Sequence, residues 1–186
     1  MQIRYRVNVS ASEYNKQKLC EKAELKQCPI HPEGDCGMRR HGTYTRKWPI
    51  ELKIPCWYCR KDHTLISLLP DFLPSRLSGT LKEVEEVVLE AQKHPSLESA
   101  SEKIRPDIEL PGALRWLRRR LNYVKNILTI ARGILPQFSF KSLKQLQQTF
   151  KVDFVLPHLR EILEKHLHTL PRIIGLIPPR LEAVKD

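Results

Sequence analysis

The sequence contains no apolar run long enough to span a bilayer, which sets aside an integral membrane protein. It also lacks a phosphate-cradling glycine loop, a nucleophile elbow and a matched pair of carboxylates, so no enzymatic chemistry is expected of it. There is no internal repeat. No cysteine occurs after residue 59, and dense amphipathic periodicity begins only after residue 80, so the two halves are expected to be held together differently. Acidic residues are in short supply: 21 Asp and Glu stand against 32 Lys and Arg, a net charge of +11. That balance favours a polyanionic partner, nucleic acid first. An anionic membrane surface fits less well, because the basic residues are spread over several predicted elements.

What is present begins with MQIRYRVNVSASEY, in which Ile3, Tyr5, Val7 and Val9 alternate with polar residues. This is a strand pattern and not the apolar core of an export signal, so a cytoplasmic location is expected. In a reducing compartment five clustered cysteines point to a metal and not to a disulfide framework. Ser10 or Ser12 can cap a short helix over SEYNKQKLCEKAEL, in which Cys20 reads as a small buried thiol.

The pattern predicts an α+β chain: a small zinc ribbon, built as a β-hairpin with two knuckles, followed by a mainly helical part. Residues 1–24 form a strand and short helix, 25–69 the ribbon, and 70–79 a linker marked by Pro70, Pro74 and Gly79. RRHGTYTR and IELKIPCWY are the hairpin strands, joined through Arg46, Lys47, Trp48 and Pro49. Residues 80–135 carry three helices of helix-turn-helix proportions. The first opens with a Thr80/Glu83 capping box, the second with Ser96, and the third is ALRWLRRRLNYVKNILTIAR, with DIELPG as its leading linker. Residues 136–186 supply supporting helices, KSLKQLQQTF, LPHLREILEKHLHTL and RIIGLIPPRLEAVKD.

Six residues compete for one tetrahedral site: Cys28, His31, Cys36, Cys56, Cys59 and His63. The first pair is Cys28 with either Cys36 or His31, and Gly37 favours Cys36 because glycine suits a knuckle turn. The second pair is Cys59 with either Cys56 or His63. C-x-x-C is the commonest knuckle spacing, but Trp57 and Tyr58 suit a tight turn poorly. His41 is expected to pack in the hairpin as a structural residue.

The string CP…CG…RHGTYTR…WYC…HTLISLLPDF resembles the N-terminal zinc ribbon attached to bacterial insertion-sequence transposases and their uncharacterised relatives, domains of unknown function. In that family the last ligand immediately precedes a Thr-x-x-Ser/Leu-Leu-Pro stretch, a place held here by His63. The resemblance thus implies one structural Zn²⁺ on Cys28, Cys36, Cys59 and His63, with His31 and Cys56 as alternates. It extends to about residue 125 and implies a mobile-element lineage. The chain departs from the simplest pattern by lengthening the first knuckle to C-P-I-H-P-E-G-D-C. No catalytic carboxylate domain accompanies the ribbon.

Along the third helix Leu114, Leu117, Leu121, Val124 and Leu128 recur at helical spacing, leaving Arg115, Arg118, Arg119, Arg120 and Lys125 for the remaining surface. With Arg39, Arg40, Arg46 and Lys47 from the hairpin, they make double-stranded DNA the expected partner, and a nucleoid-associated location follows. The alternative is a zinc-ribbon module that docks protein, a second copy of the chain included, through C-terminal helices bearing Leu159, Ile162, Leu163, Leu167 and Leu170.

Overall fold

The computed structural model describes residues 1–47, 50–136 and 140–166. These form a mixed α+β chain with one four-stranded sheet and seven helices among the described residues. It divides into two units, Met1–Ser78 and a second that begins at Gly79.

In the first unit the strands are β1 (Gln2–Tyr5), β2 (Arg39–Arg46), β3 (Leu52–Cys59) and β4 (Thr64–Pro70), in the order β1-β4-β3-β2. The expected hairpin is β2 against β3, running from Arg39↔Tyr58 to Arg46↔Leu52. Trp48 and Pro49, placed in its loop by the sequence, lie outside the described residues. The N-terminal strand is not a separate element: β1 joins the same sheet, parallel to β4, with Gln2 against Ser67 and Tyr5 against Pro70. The central strand β4 is buried from Ile66 to Pro70, with Ile66 and Leu68 packed in one core cluster and Leu69 in another.

The single helix expected after β1 is two, α1 (Ala11–Lys16) and α2 (Leu19–Lys22), because Lys18 takes a left-handed conformation between them. Ser10 caps α1 by accepting from the Glu13 amide, and Tyr14 is buried with its hydroxyl donating to the Lys53 carbonyl at 3.1 Å. Residues 71–78, expected as an irregular linker on the surface, are held against the unit. Leu73 is buried, Ser75 Oγ donates to Gln2 Oε1 at 2.8 Å, and Arg46 donates to the carbonyls of Pro74 and Leu77.

The second unit opens with α3 (Leu81–Ala91), α4 (Leu97–Ile104) and α5 (Leu110–Ile134). The capping box forms as the sequence implies, Thr80 Oγ1 accepting from the Glu83 amide while Glu83 accepts from Thr80, and Ser96 caps α4. α5 starts inside the stretch expected to be a linker, with Pro111 in its first turn, where a missing N–H costs nothing. Ala91, Ala100 and Leu117 form the packed centre of these three helices. α6 (Leu143–Phe150) and α7 (Val155–Glu164) are its remaining helices among the described residues.

One buried charge joins α3 to α7. Glu85 is 0% exposed, and its two carboxylate oxygens accept from the Val155 and Leu156 amides at 2.9 and 2.8 Å. Gln147 of α6 adds a third donor at 3.1 Å. α7 has no capping side chain of its own, so a residue seventy positions earlier satisfies its first-turn amides.

Candidate metal centre and basic surface

Cys28, His31, Cys36 and Cys59 converge, each offering one ligand atom, and all four atoms lie within 4.8 Å of one another. Each gets there by a different local route. In Cys-Pro-Ile-His the chain folds back so that the amides of Ile30 and His31 point at Cys28 Sγ. Residues 33–35 then loop out, Gly34 and Asp35 both taking positive φ, and return the chain at Cys36. Cys59 is the last residue of β3.

The His31 Nδ1 edge faces the sulfurs, 3.5 Å from Cys59 Sγ and 4.0 Å from Cys28 Sγ. A tetrahedral ion with bonds of about 2.3 Å to sulfur and about 2.0 Å to nitrogen separates its donors by roughly 3.5–3.8 Å, so the four groups fit one metal ion. The three cysteines are buried and His31 is half-buried. Burial works to raise the Cys28 thiol, but the amides of His31 and Ile30, with the side chains of His31 and Cys36, outweigh it and bring it down to about 7. At Cys36 burial, then the adjoining Cys28 thiol, push the other way. A Cys28 sulfur poised as thiolate beside a Cys36 thiol that resists ionising is a charge pattern a cation resolves.

The fourth member of the cluster is therefore His31, where the sequence favours His63. The sequence also sets His31 and Cys36 against each other as rivals, and both are in the cluster. His63 instead hydrogen-bonds Tyr58 through Nδ1 at 2.9 Å, and Tyr58 points to the opposite sheet face from Cys59. Cys56, the other alternate, is buried against Ser67 with its sulfur 3.3 Å from the Ser67 hydroxyl. Cys20 is buried as expected, and burial raises its thiol.

Gly37 follows Cys36 with φ +64°, and a Cβ there would sit 3.0 Å from Cδ of Arg60, in the turn after Cys59. This close approach brings the two ligand loops together, helped by the Lys61 amide donating to the Cys36 carbonyl at 3.1 Å. Gly37→Ala is expected to cost about 1–2 kcal/mol, from the left-handed backbone, and to weaken metal retention about tenfold in a chelator competition.

The basic residues sort into two groups. Arg40 donates to the carbonyls of Cys20, Glu21 and Ala23 at the end of α2 and lies over Trp57, and Arg46 holds residues 71–78. Both therefore serve the fold of the first unit. Arg120, expected on the DNA-facing surface, is 2% exposed. Its guanidinium stacks on Trp116 at 3.6 Å from the ring centroid, with Arg105 near the same ring at 4.8 Å. Burial, then repulsion from Arg105, lowers Arg120 to about 10.

The buried stripe of α5 accordingly runs Ala113, Leu117, Arg120, Val124, Ile127, Leu128 and Ala131, and Leu114 and Leu121 flank it half-buried. Arg115, Arg118, Arg119 and Lys125 are exposed on α5, and Arg39 is exposed on β2. No helix of the described residues is long and apolar enough to cross a membrane. Comparison with models of known protein families, with curated proteins and with solved structures yields no match.

Proposed function

We propose that the chain is a non-catalytic, zinc-dependent DNA-binding protein in which the metal holds the first unit together and α5 contacts the duplex. Three thiolates and one imidazole form a soft, four-donor set that suits Zn²⁺ and leaves no coordination position for substrate, as in structural ribbon sites. The observation that carries the DNA reading is the exposed side of α5, where Arg115, Arg118 and Arg119 lie away from the buried Ala113 and Leu117. Guanidinium groups so spaced can follow phosphates along a groove. The run α3, α4, α5 supports a helix-turn-helix-like arrangement with α5 as the contacting helix. The resemblance of the ribbon motif to transposase-associated ribbons supports a mobile-element origin as an accessory, regulatory or relic form.

The protein-docking alternative draws on the leucine stripe of α7, yet Leu159 and Leu163 are buried within the second unit's own core. Leu167 and Leu170 lie outside the described residues. Binding to a duplex oligonucleotide at two salt concentrations tests the proposal. Replacing Arg115, Arg118 and Arg119 together by alanine is expected to flatten the log-affinity against log-salt slope by about 2–3, at about 0.9 for each phosphate no longer neutralised. Arg46→Ala should destabilise the first unit and leave that slope unchanged. Duplex affinity that ignores salt, or that survives the triple replacement, would remove α5 from the interface.

A further inference from the structure

On the face of the sheet away from Trp57 and Cys59, three residues stand in a row across three strands: Arg39 of β2 opposite Tyr58 of β3, and Tyr58 opposite Leu65 of β4. Arg39 is exposed, Tyr58 half-exposed, and Leu65 is 41% exposed, an unusual place for a leucine inside a strand. Two backbone irregularities deliver histidines to this same tyrosine. The β2–β3 register passes from Arg40↔Trp57 to Gly42↔Cys56 and skips His41, a bulge that brings its ring to 5.6 Å from that of Tyr58. His63 holds a left-handed conformation, φ 49°, and puts its ring 6.4 Å from Tyr58, where Nδ1 makes the 2.9 Å hydrogen bond to the phenol.

Neither histidine gains burial from its position, since both are exposed. The left-handed backbone of His63 does not serve to bury its ring, and outliers of that kind cluster at ligand-binding surfaces. The hydrogen bond between His63 and the phenol fixes the Tyr58 ring in advance of any ligand, which lowers the ordering cost of stacking on it. Cationic groups adjoin in sequence and across the strands: Arg39 opposite the ring, and exposed Arg60 and Lys61 in the turn that leads to His63, against one carboxylate, Asp62.

We infer that Tyr58, flanked by His41 and His63 and floored by Leu65, is a stacking seat for an unpaired base of single-stranded nucleic acid, with Arg39 placed for its phosphate. Aromatic faces bind any base, and a basic border tracks the backbone, so the seat is expected to tolerate sequence. A duplex keeps its bases stacked on one another and cannot use it. The seat belongs to the first unit and α5 to the second, and the inference does not rest on the duplex reading.

The test uses the full chain with its zinc, a fluorescein-labelled oligothymidylate and a labelled duplex. Tyr58→Leu, and separately the His41→Ala/His63→Ala pair, should weaken single-strand binding by about 5- to 100-fold and leave duplex affinity unchanged. Tyr58→Phe, which keeps the ring, should stay within a few-fold of the parent. The inference fails if the parent chain does not bind the single strand at low salt. It fails equally if a zinc-retaining Tyr58→Leu chain binds it as the parent does, or if single-strand and duplex binding fall together. Loss of duplex binding alone on replacing Arg115, Arg118 and Arg119, or absence of duplex binding in the parent, leaves the Tyr58 dependence standing by itself.

Discussion

Cys59→Ser is expected to abolish metal binding and unfold residues 1–78, while α3 to α7 keep their helicity. The size of the effect follows from where the ligands sit. Cys28, Cys36 and Cys59 are members of the core that contains Ala23, Trp57, Ile66 and Leu68. With zinc bound there as proposed, its removal is expected to leave polarisable, partly ionised groups buried at the centre of the packing, not at its edge. Structural zinc contributes about 10–16 kcal/mol of apparent binding free energy, comparable to or larger than the whole net stability of about 5–15 kcal/mol typical of a domain. Metal analysis should give one zinc per chain before substitution and none after. Circular dichroism should lose its strand component and retain its helical one. His31→Ala should behave like Cys59→Ser, whereas His63→Ala and Cys56→Ser should keep their zinc. A zinc-loaded His31→Ala chain paired with a zinc-free His63→Ala chain would reverse the ligand assignment made from the geometry.

Glu85→Ala is expected to be the most damaging single change in the second unit, at about 3 kcal/mol. Its carboxylate accepts from two amides at the start of α7 and from Gln147, and the substitution leaves all of them buried or half-buried without that acceptor. Glu85→Gln keeps one good acceptor and should lose roughly half as much. Chemical denaturation of the three chains, followed by helical ellipticity, would rank them, and a cost below about 1 kcal/mol for alanine would show that α7 does not depend on this cap. The pH dependence has a definite sign. Burial raises the Glu85 carboxyl above its ordinary value, against the pull of the Leu156 and Val155 amides. A folded-state pKa above the unfolded one means the group's contribution is complete below the unfolded value and declines as pH climbs through the folded one. The second unit should therefore lose stability on this account as pH rises out of the carboxylate range, and Glu85→Gln should remove that component.

Much of this is legible in the sequence where the physics is local. β2 occupies the eight residues expected of it, and the caps at Ser10, Thr80 and Ser96 form because a hydroxyl three residues ahead of an amide needs nothing further to act. The rest depends on partners distant in sequence. β4 cannot be separated from a loop-bound apolar run without knowing that β1 and β3 flank it. The metal set turns on whether the chain returns at Cys36 after passing His31, a matter of the 33–35 loop and not of ligand type. The resemblance points to His63 as the fourth ligand, whereas strand alternation sends its hydrogen-bond partner Tyr58 to the other face from Cys59. Helical periodicity misplaces Arg120 because a guanidinium stacked on Trp116 occupies a core position that a count of apolar residues assigns to its neighbours. Glu85 carries no signal at all, since its role exists only once α7 has arrived.

The parallel pairing of β1 with β4 also sets an order of events during synthesis. Gln2 emerges early but meets Ser67 only after α1, α2, the metal loops and the β2–β3 hairpin have been made. Contacts this far apart close slowly, so the growing chain exposes an unpaired β1 until β4 has been made. On the proposed zinc-dependent reading, metal supply at that moment, before the helical half has left the ribosome, is expected to decide whether β1 finds an ordered edge on β4 or an unfolded segment.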